Sequence, residues 1–310
     1  MPRWLVCCLV TVVCFGVWGV MYKALPQALS PFQTQALSTL GILPIMVVLG
    51  LSPSRRAGER KLRGSACALA AGVLVGLGNV AYYQALSAGA MASTAASLTA
   101  LYPVTTVVLA MVLLKEKPGP WQQAGIVASL AAIYLLNVSQ PGESLSGWMI
   151  YALVPIGLWG VAGLVMKVAT DDVSAELATF WFLAAFIPLG AVLVATAPMS
   201  RSLAPRDMLM AAVLGTSYGL GNLALLAAYR SGGRASIVTP LTGLYPIVTI
   251  PLAVLLFGET LGARETAGIA LALAAGVALS YEPQKEPSTP LGERRPVTEI
   301  RTEPKKAIPP

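Results

Sequence analysis

The sequence predicts an all-α integral membrane protein of ten transmembrane helices, arranged as two inverted five-helix repeats. Three observations lead there. Of 310 residues, 56% are hydrophobic and 11% charged, against roughly 25% charged in soluble domains. The charged residues cluster, leaving long charge-free runs between them. The stretch Gly72–Glu116 also returns without a gap as Gly215–Glu259, with 20 of 45 positions identical at an offset of 143. Chance matches among Ala, Leu and Val would not hold Asn, Tyr, Pro, Thr and Glu at one offset, so the chain reads as two copies of one unit.

A bilayer core of about 30 Å needs about 20 apolar residues per helix. That length places spans at 4–22, 31–51, 64–87, 91–114 and 119–137 in the first half. The second half has 147–168, 175–198, 207–230, 234–257 and 262–280. The run 64–114 is long enough for two helices, and Ser87-Ala88-Gly89-Ala90 supplies the turn between them. Helices are expected throughout, because in lipid only a helix or a closed barrel satisfies the backbone. Residues 1–20 resemble a signal peptide, with Arg3 before an apolar run. The run nevertheless continues to Tyr22, and Phe15-Gly16-Val17-Trp18-Gly19 is echoed by Ile156-Gly157-Leu158-Trp159-Gly160. The first span is therefore expected to be retained and to be the partner of the sixth. The repeats divide as 1–141 and 142–281, and a Pro-rich, charged tail, 282–310, reads as disordered.

Lys and Arg excess marks cytoplasmic loops. The Arg55–Arg63 segment, with five cations, sets the amino terminus inside. Ten spans then leave 17 Lys and Arg inside and 4 outside. The net charge of +7 is explained by this topology and asks for no nucleic-acid partner. The expected location is the plasma membrane or bacterial inner membrane, with both termini cytoplasmic. A unit of five spans also makes the second copy enter the bilayer from the opposite side, an arrangement that recurs in secondary transporters around a midplane site.

Pro103 and Pro246 fall near the middle of the fourth and ninth spans. Each removes the hydrogen bond to the carbonyl four residues earlier, that of Thr99 or Thr242. Thr99, Tyr102 and Thr106 share one helix face, and Thr242, Tyr245 and Thr249 repeat it. Polar groups at such depth need partners or water. The stripes are read as the lining of a substrate cavity, with the freed carbonyls as acceptors; hydroxyls bonding back to their own helices are the plainer alternative. Asn79 and Asn222 follow Gly72-x-x-x-Gly76-x-Gly78 and its copy at Gly215, Gly219 and Gly221, glycine spacings that suit close helix packing. Tyr82 and Tyr83 are not repeated, since Leu225 and Leu226 take their places, so substrate preference can enter there. Trp18 and Trp159 are either interface anchors or closing groups over a solute. Lys23 with Glu259 outside, and Lys167 with Glu116 inside, are gate candidates; snorkelling of charges to the interface is the competing account.

The chain has no His and four Cys, Cys7, Cys8, Cys14 and Cys67, without metal-ligand spacing. No Asp or Glu is expected deep in a span. No catalytic residue, metal site or cofactor is assigned, an intramembrane enzyme is disfavoured, and a carboxylate proton relay has no candidate. The expected partners are a small organic solute and the bilayer; oligomeric state stays open.

These residues resemble the drug/metabolite transporter superfamily, its EamA-type branch. The resemblance rests on Trp18-Gly19 with Lys23, on Leu101-Tyr102-Pro103, Glu116 and Gly125, and on Trp159-Gly160 with Lys167, Leu244-Tyr245-Pro246, Gly258-Glu259 and Gly268. It implies ten helices in two inverted repeats, a central cavity, peripheral fifth and tenth spans, and transport of a metabolite, amino acid or drug, often as export. A lipid flippase on the same scaffold is the alternative. Many relatives have an arginine in the second span where this chain has Gln33 and Gln35, which weighs against an anionic cargo.

Overall fold

The structure, a computed structural model, describes residues 1–25, 29–53, 61–113, 118–136, 146–197, 204–232, 238 and 241–279. The Arg55 loop, Glu116, most of the loop before the ninth span, the Lys167 side chain and the tail lie outside the described residues. Twelve helices run through the rest: α1 Arg3–Ala24, α2 Pro31–Leu51, α3 Lys61–Ser87, α4 Ala92–Thr99, α5 Pro103–Leu113 and α6 Pro120–Leu136, then α7 Gly147–Asp172, α8 Ala175–Ala184, α9 Phe186–Thr196, α10 Pro205–Arg230, α11 Pro246–Phe257 and α12 Ala263–Leu279. The described chain contains no sheet. Seven segments are long and apolar enough to cross a membrane, among them α4 with α5 and α8 with α9 taken as single spans. The ninth span is represented by the shorter apolar helix Leu241–Phe257. Helices α6 and α12, of 17 residues each, reach about 26 Å at about 1.5 Å per residue.

The proline breaks fall where the sequence puts them, with one correction. Across Pro103 the chain tightens into bonds three residues apart: Tyr102 N donates to Thr99 O at 3.1 Å and Thr105 N to Tyr102 O at 3.1 Å. The Thr99 carbonyl, expected to be free, is therefore taken, because a tighter turn recovers the acceptor that proline leaves. The same pattern crosses Pro246, where Ile247 N bonds Leu244 O at 2.9 Å and Val248 N bonds Tyr245 O at 3.0 Å. A second departure is the seventh span, which is interrupted at Ala185 between α8 and α9. Pro188 accounts for it, since it cannot donate to the carbonyl of Ala184. The turn from α3 into α4 is as expected. Gly89 takes φ 98°, and Ala90 N reaches back to Ala85 O at 3.1 Å, a Schellman closure that favours glycine at this left-handed position.

Small residues let the helices approach closely. Gly215 on α10 lies against the Ser38 carbonyl of α2, and Gly72 on α3 lies against the Phe182 carbonyl of α8. One turn on, Gly219 faces Ile45 and Gly76 faces Leu189. The seam of α2 on α10 is thus repeated by α8 and α9 on α3. Helices α6 and α12 cross reciprocally: Gly125 sits against Leu279, and Gly268 against Leu136. The start of each helix meets the end of the other, so these two equivalent helices run antiparallel.

The contacts of α1 and α7 correct the matching of their motifs. Gly16 packs on Val248 and the Tyr245 carbonyl, while Gly160 packs on Thr105 and the Tyr102 carbonyl. Gly19 faces Thr249 Oγ1, and Gly163 faces Thr106 Oγ1. Phe15 covers Gly221, and Trp159 covers Gly78. Equivalent positions here lie 144 apart, the offset that also relates Lys23 to Lys167, whereas Trp18-Gly19 and Trp159-Gly160 lie 141 apart. The two Trp-Gly pairs are one helical turn out of register, and Trp159 stands where Phe15 stands in the other half. Packing decides this: a glycine is demanded where a backbone carbonyl approaches, as at Gly16 and Gly160.

The register is checked by Gly160→Ala and Gly157→Ala. A methyl at Gly160 meets the Thr105 side chain and the Tyr102 carbonyl, while at Gly157 nothing lies within 4 Å. Thermal unfolding in detergent should show Gly160→Ala destabilised by about 1–3 kcal/mol and Gly157→Ala unchanged, or stabilised by up to about 1 kcal/mol.

Candidate functional site

At the level where α1, α3, α7 and α10 meet, aromatic side chains gather. The Trp18 ring stacks on Tyr82 at 5.2 Å and lies 5.9 Å from Trp159 and 5.7 Å from Tyr218. Tyr22 stacks on Tyr83 at 5.0 Å, and Tyr102 meets Trp159 edge to face at 6.3 Å. Trp18 Nε1 donates to the Tyr83 hydroxyl at 2.9 Å, the Tyr82 hydroxyl donates to Gly19 O at 2.7 Å, and Trp159 Nε1 donates to Val75 O at 3.3 Å. Trp18, Tyr82 and Tyr83 are buried, so Trp18 is no interface anchor. Tyr102 and Trp159 are half-buried and form the open edge of the cluster.

Asn79 and Asn222 both lie near Tyr218 at the side of this cluster. Asn222 Nδ2 also donates to Tyr218 O at 2.9 Å. Asn79 is 1% exposed, and its Oδ1 has no hydrogen-bond partner.

The threonines of the two stripes are committed to backbone. Thr106 Oγ1 donates to Gly160 O at 2.9 Å, and its counterpart Thr249 Oγ1 donates to Gly16 O at 3.1 Å. Thr242 Oγ1 bonds Val238 O at 2.9 Å. Thr99 Oγ1 bonds Ala95 O at 2.8 Å and lies 3.2 Å from the Tyr245 hydroxyl, which donates to Ala96 O at 3.1 Å. Thr106 and Thr249 thus fasten the broken spans to α7 and α1, Thr99 meets Tyr245 of the other span, and Thr242 bonds back within its own span, since a side-chain hydroxyl in lipid takes the nearest carbonyl. Tyr102 keeps its place beside the aromatic edge, while Tyr245 is buried between α4 and the break before α11.

At one end of the bundle Glu259 joins the halves. Its Oε1 meets Lys23 Nζ at 2.7 Å and accepts from Ala92 N at 2.6 Å; its Oε2 accepts from Ser93 Oγ at 2.6 Å and Ser93 N at 3.1 Å. Ala92 and Ser93 open α4, whose own N-cap, Met91, has no side-chain bond. A carboxylate from the other half therefore caps α4, as the partial positive charge of a helix N-terminus favours. Gly258 at φ 64° turns the chain out of α11 to present it. Burial raises the Glu259 pKa, but the bonds from Lys23, Ser93 and the two backbone N–H groups outweigh it and hold the carboxyl below its ordinary range. The pairing of Lys23 with Glu259 follows the sequence reading; the cap does not appear in it. Its partner pair, Lys167 with Glu116, falls outside the described residues.

A family model for the EamA-like transporter family matches residues 2–138 and again 146–281. The chain belongs to the EamA-like transporter family. A comparison with curated proteins finds no match. Among solved structures, 22 chains match. One, titled only as the crystal structure of a protein, has a TM-score of 0.61 and 18% identity over 88% of this chain and 95% of its own. That likeness carries the fold and no more. The EamA-like chain is thus a multi-pass member of a membrane transporter family, built in two matching units.

Several site residues of this EamA-like protein escape a reading by motif. Tyr22, Tyr218 and Phe15 belong to the cluster, yet none repeats between the halves: Tyr218 corresponds to Val75 at the common offset. Ser93 could have been found, because Ala92-Ser93 recurs as Ala235-Ser236.

Glu259 sets a pH dependence. A carboxyl with a lowered folded-state pKa adds stability above its ordinary value of about 4.3 and loses it as pH falls through the lowered value. Thermal stability of the natural chain should therefore hold from pH 7 to about pH 5 and fall below that. Glu259→Gln should be less stable at pH 7 by about 1–3 kcal/mol and should show a smaller fall on acidification. A difference between the two that stays constant down to pH 3 would contradict the cap.

Proposed function

We propose that this protein is a secondary transporter of ten spans in two inverted repeats, moving a small organic solute by alternating access, with both termini cytoplasmic in a cell membrane. The observation that carries the reading is the Glu259 clasp. It ties the second half to Lys23 and the start of α4 in the first, and every member has a sequence counterpart: Glu116, Lys167, Ala235 and Ser236. In this reading the clasp made from Glu259 closes the outer face, and the counterpart set closes the inner face when the outer one parts. The reciprocal antiparallel crossing of α6 and α12 supports the inversion, since equivalent helices of two inverted copies must run in opposite directions. The Arg55 loop supports the orientation.

Within this scheme Tyr82, Tyr83, Tyr102, Asn79 and Asn222 face or flank the solute, with Trp18 and Trp159 closing over it. Thr99, Thr106, Thr249 and Tyr245 hold the broken spans against their neighbours, and Thr242 bonds back within its own span. Two spans interrupted at mid-length can bend without melting, which suits them to the moving part of a carrier.

A bis-methanethiosulfonate cross-link between Lys23→Cys and Glu259→Cys, in a chain whose four native cysteines are replaced by serine, tests the clasp, since a linker is needed to bridge two positions whose long side chains meet only at their tips. Solute counterflow in proteoliposomes should fall at least about tenfold on cross-linking and return on reduction, since a carrier locked in one state cannot exchange. Exchange at an unchanged rate in the fully cross-linked protein would remove alternating access at this face.

A further inference from the structure

The chemistry left unused in the aromatic cluster points to a class of solute. The inference rests on the carrier reading above and asks what that carrier recognises. Three of the cluster's polar hydrogens are spent within the protein: Trp18 Nε1 on Tyr83, the Tyr82 hydroxyl on Gly19 O, and Trp159 Nε1 on Val75 O. All of those partners are uncharged. What remains is of the opposite kind. Ring faces present negative charge density, and Trp18, Tyr82, Trp159 and Tyr218 lie with centroids 5.2 to 6.2 Å apart along their contacts. Beside them Asn79 Oδ1 is buried and has no donor. An unpaired acceptor of that sort is unfavourable, and more so where lipid offers no water. Gln35, in the span where relatives have an arginine, also keeps an unpartnered buried oxygen, Oε1. A carboxylate or phosphate would meet ring faces of like sign and no Lys or Arg among these residues. A group that brings its own N–H and a positive charge complements both the faces and the acceptor.

We propose that the solute is an organic cation, a ring-bearing ammonium whose charge rests on the Trp18, Tyr218 and Trp159 rings and whose N–H donates to Asn79 Oδ1. Its ring enters past the half-buried edge formed by Tyr102 and Trp159. The asymmetry of the repeat fits this, since Tyr82, Tyr83 and Tyr218 sit opposite Leu225, Leu226 and Val75.

Two probes of matched shape and opposite charge, phenethylammonium and 3-phenylpropanoate, separate the outcomes. Tryptophan fluorescence of the full chain in proteoliposomes should saturate with phenethylammonium at a Kd at least about tenfold below that of 3-phenylpropanoate. Asn79→Asp should tighten the ammonium a further several-fold, and Asn79→Leu should weaken it about tenfold. The comparison of charges on the unsubstituted chain stands even if a variant fails to fold. Equal or tighter binding of the carboxylate, or no saturable response to either probe, overturns the proposal. Counterflow separates it from the carrier reading. Exchange of 3-phenylpropanoate but not phenethylammonium keeps the carrier and overturns the cation. Saturable binding of phenethylammonium without any exchange supports the cation site and counts against the carrier.

Discussion

A polar group inside a bilayer has no solvent to turn to, and the architecture of this protein follows from that constraint. Helices are the local answer, since each satisfies its own backbone. Where proline spoils the pattern at Pro103 and Pro246, the chain tightens by one residue, and at Pro103 this recovers the Thr99 carbonyl. Threonine hydroxyls on the same spans reach carbonyls of α1 and α7. Breaks and threonines are therefore one device: the break bends the span, and the hydroxyls anchor the bent span to its neighbour.

The halves are alike where they pack and unlike where they face inward. Carbonyl-to-glycine seams recur at fixed offsets, Ser38 on Gly215 and Phe182 on Gly72, because close approach of two backbones tolerates no side chain at the contact. The interior surface is under no such demand. There one half contributes Tyr82 and Tyr83 and the other Tyr218. A scaffold with two like seams can thus carry an interior that is not symmetric, and the unsatisfied Asn79 oxygen lies beside it.

The clasp at Glu259 adds one carboxylate to the seams that join the two halves. It collects one ammonium, one hydroxyl and two backbone N–H donors. Charge-assisted hydrogen bonds are about twice as strong as neutral ones. Because all of its donors belong to the first half, separating the halves would expose them together, which makes the contact all-or-none.

Much of this was legible in the sequence. Charge-free runs set the membrane, the 143-residue offset set the repeat, Pro103 and Pro246 set the breaks, Ser87–Ala90 set the turn, and Lys23 with Glu259 stood as one of two candidate pairs. These features are local or periodic, so a linear reading reaches them. The tertiary structure alone decided the register of α1 against α7, the fate of the Thr99 carbonyl, the bend at Ala185, the cap on α4 and the gathering of Tyr22, Tyr82, Tyr83 and Tyr218 around Trp18. Each depends on which side chain meets which carbonyl across a seam. A shift of one helical turn leaves the sequence motif intact and changes every contact.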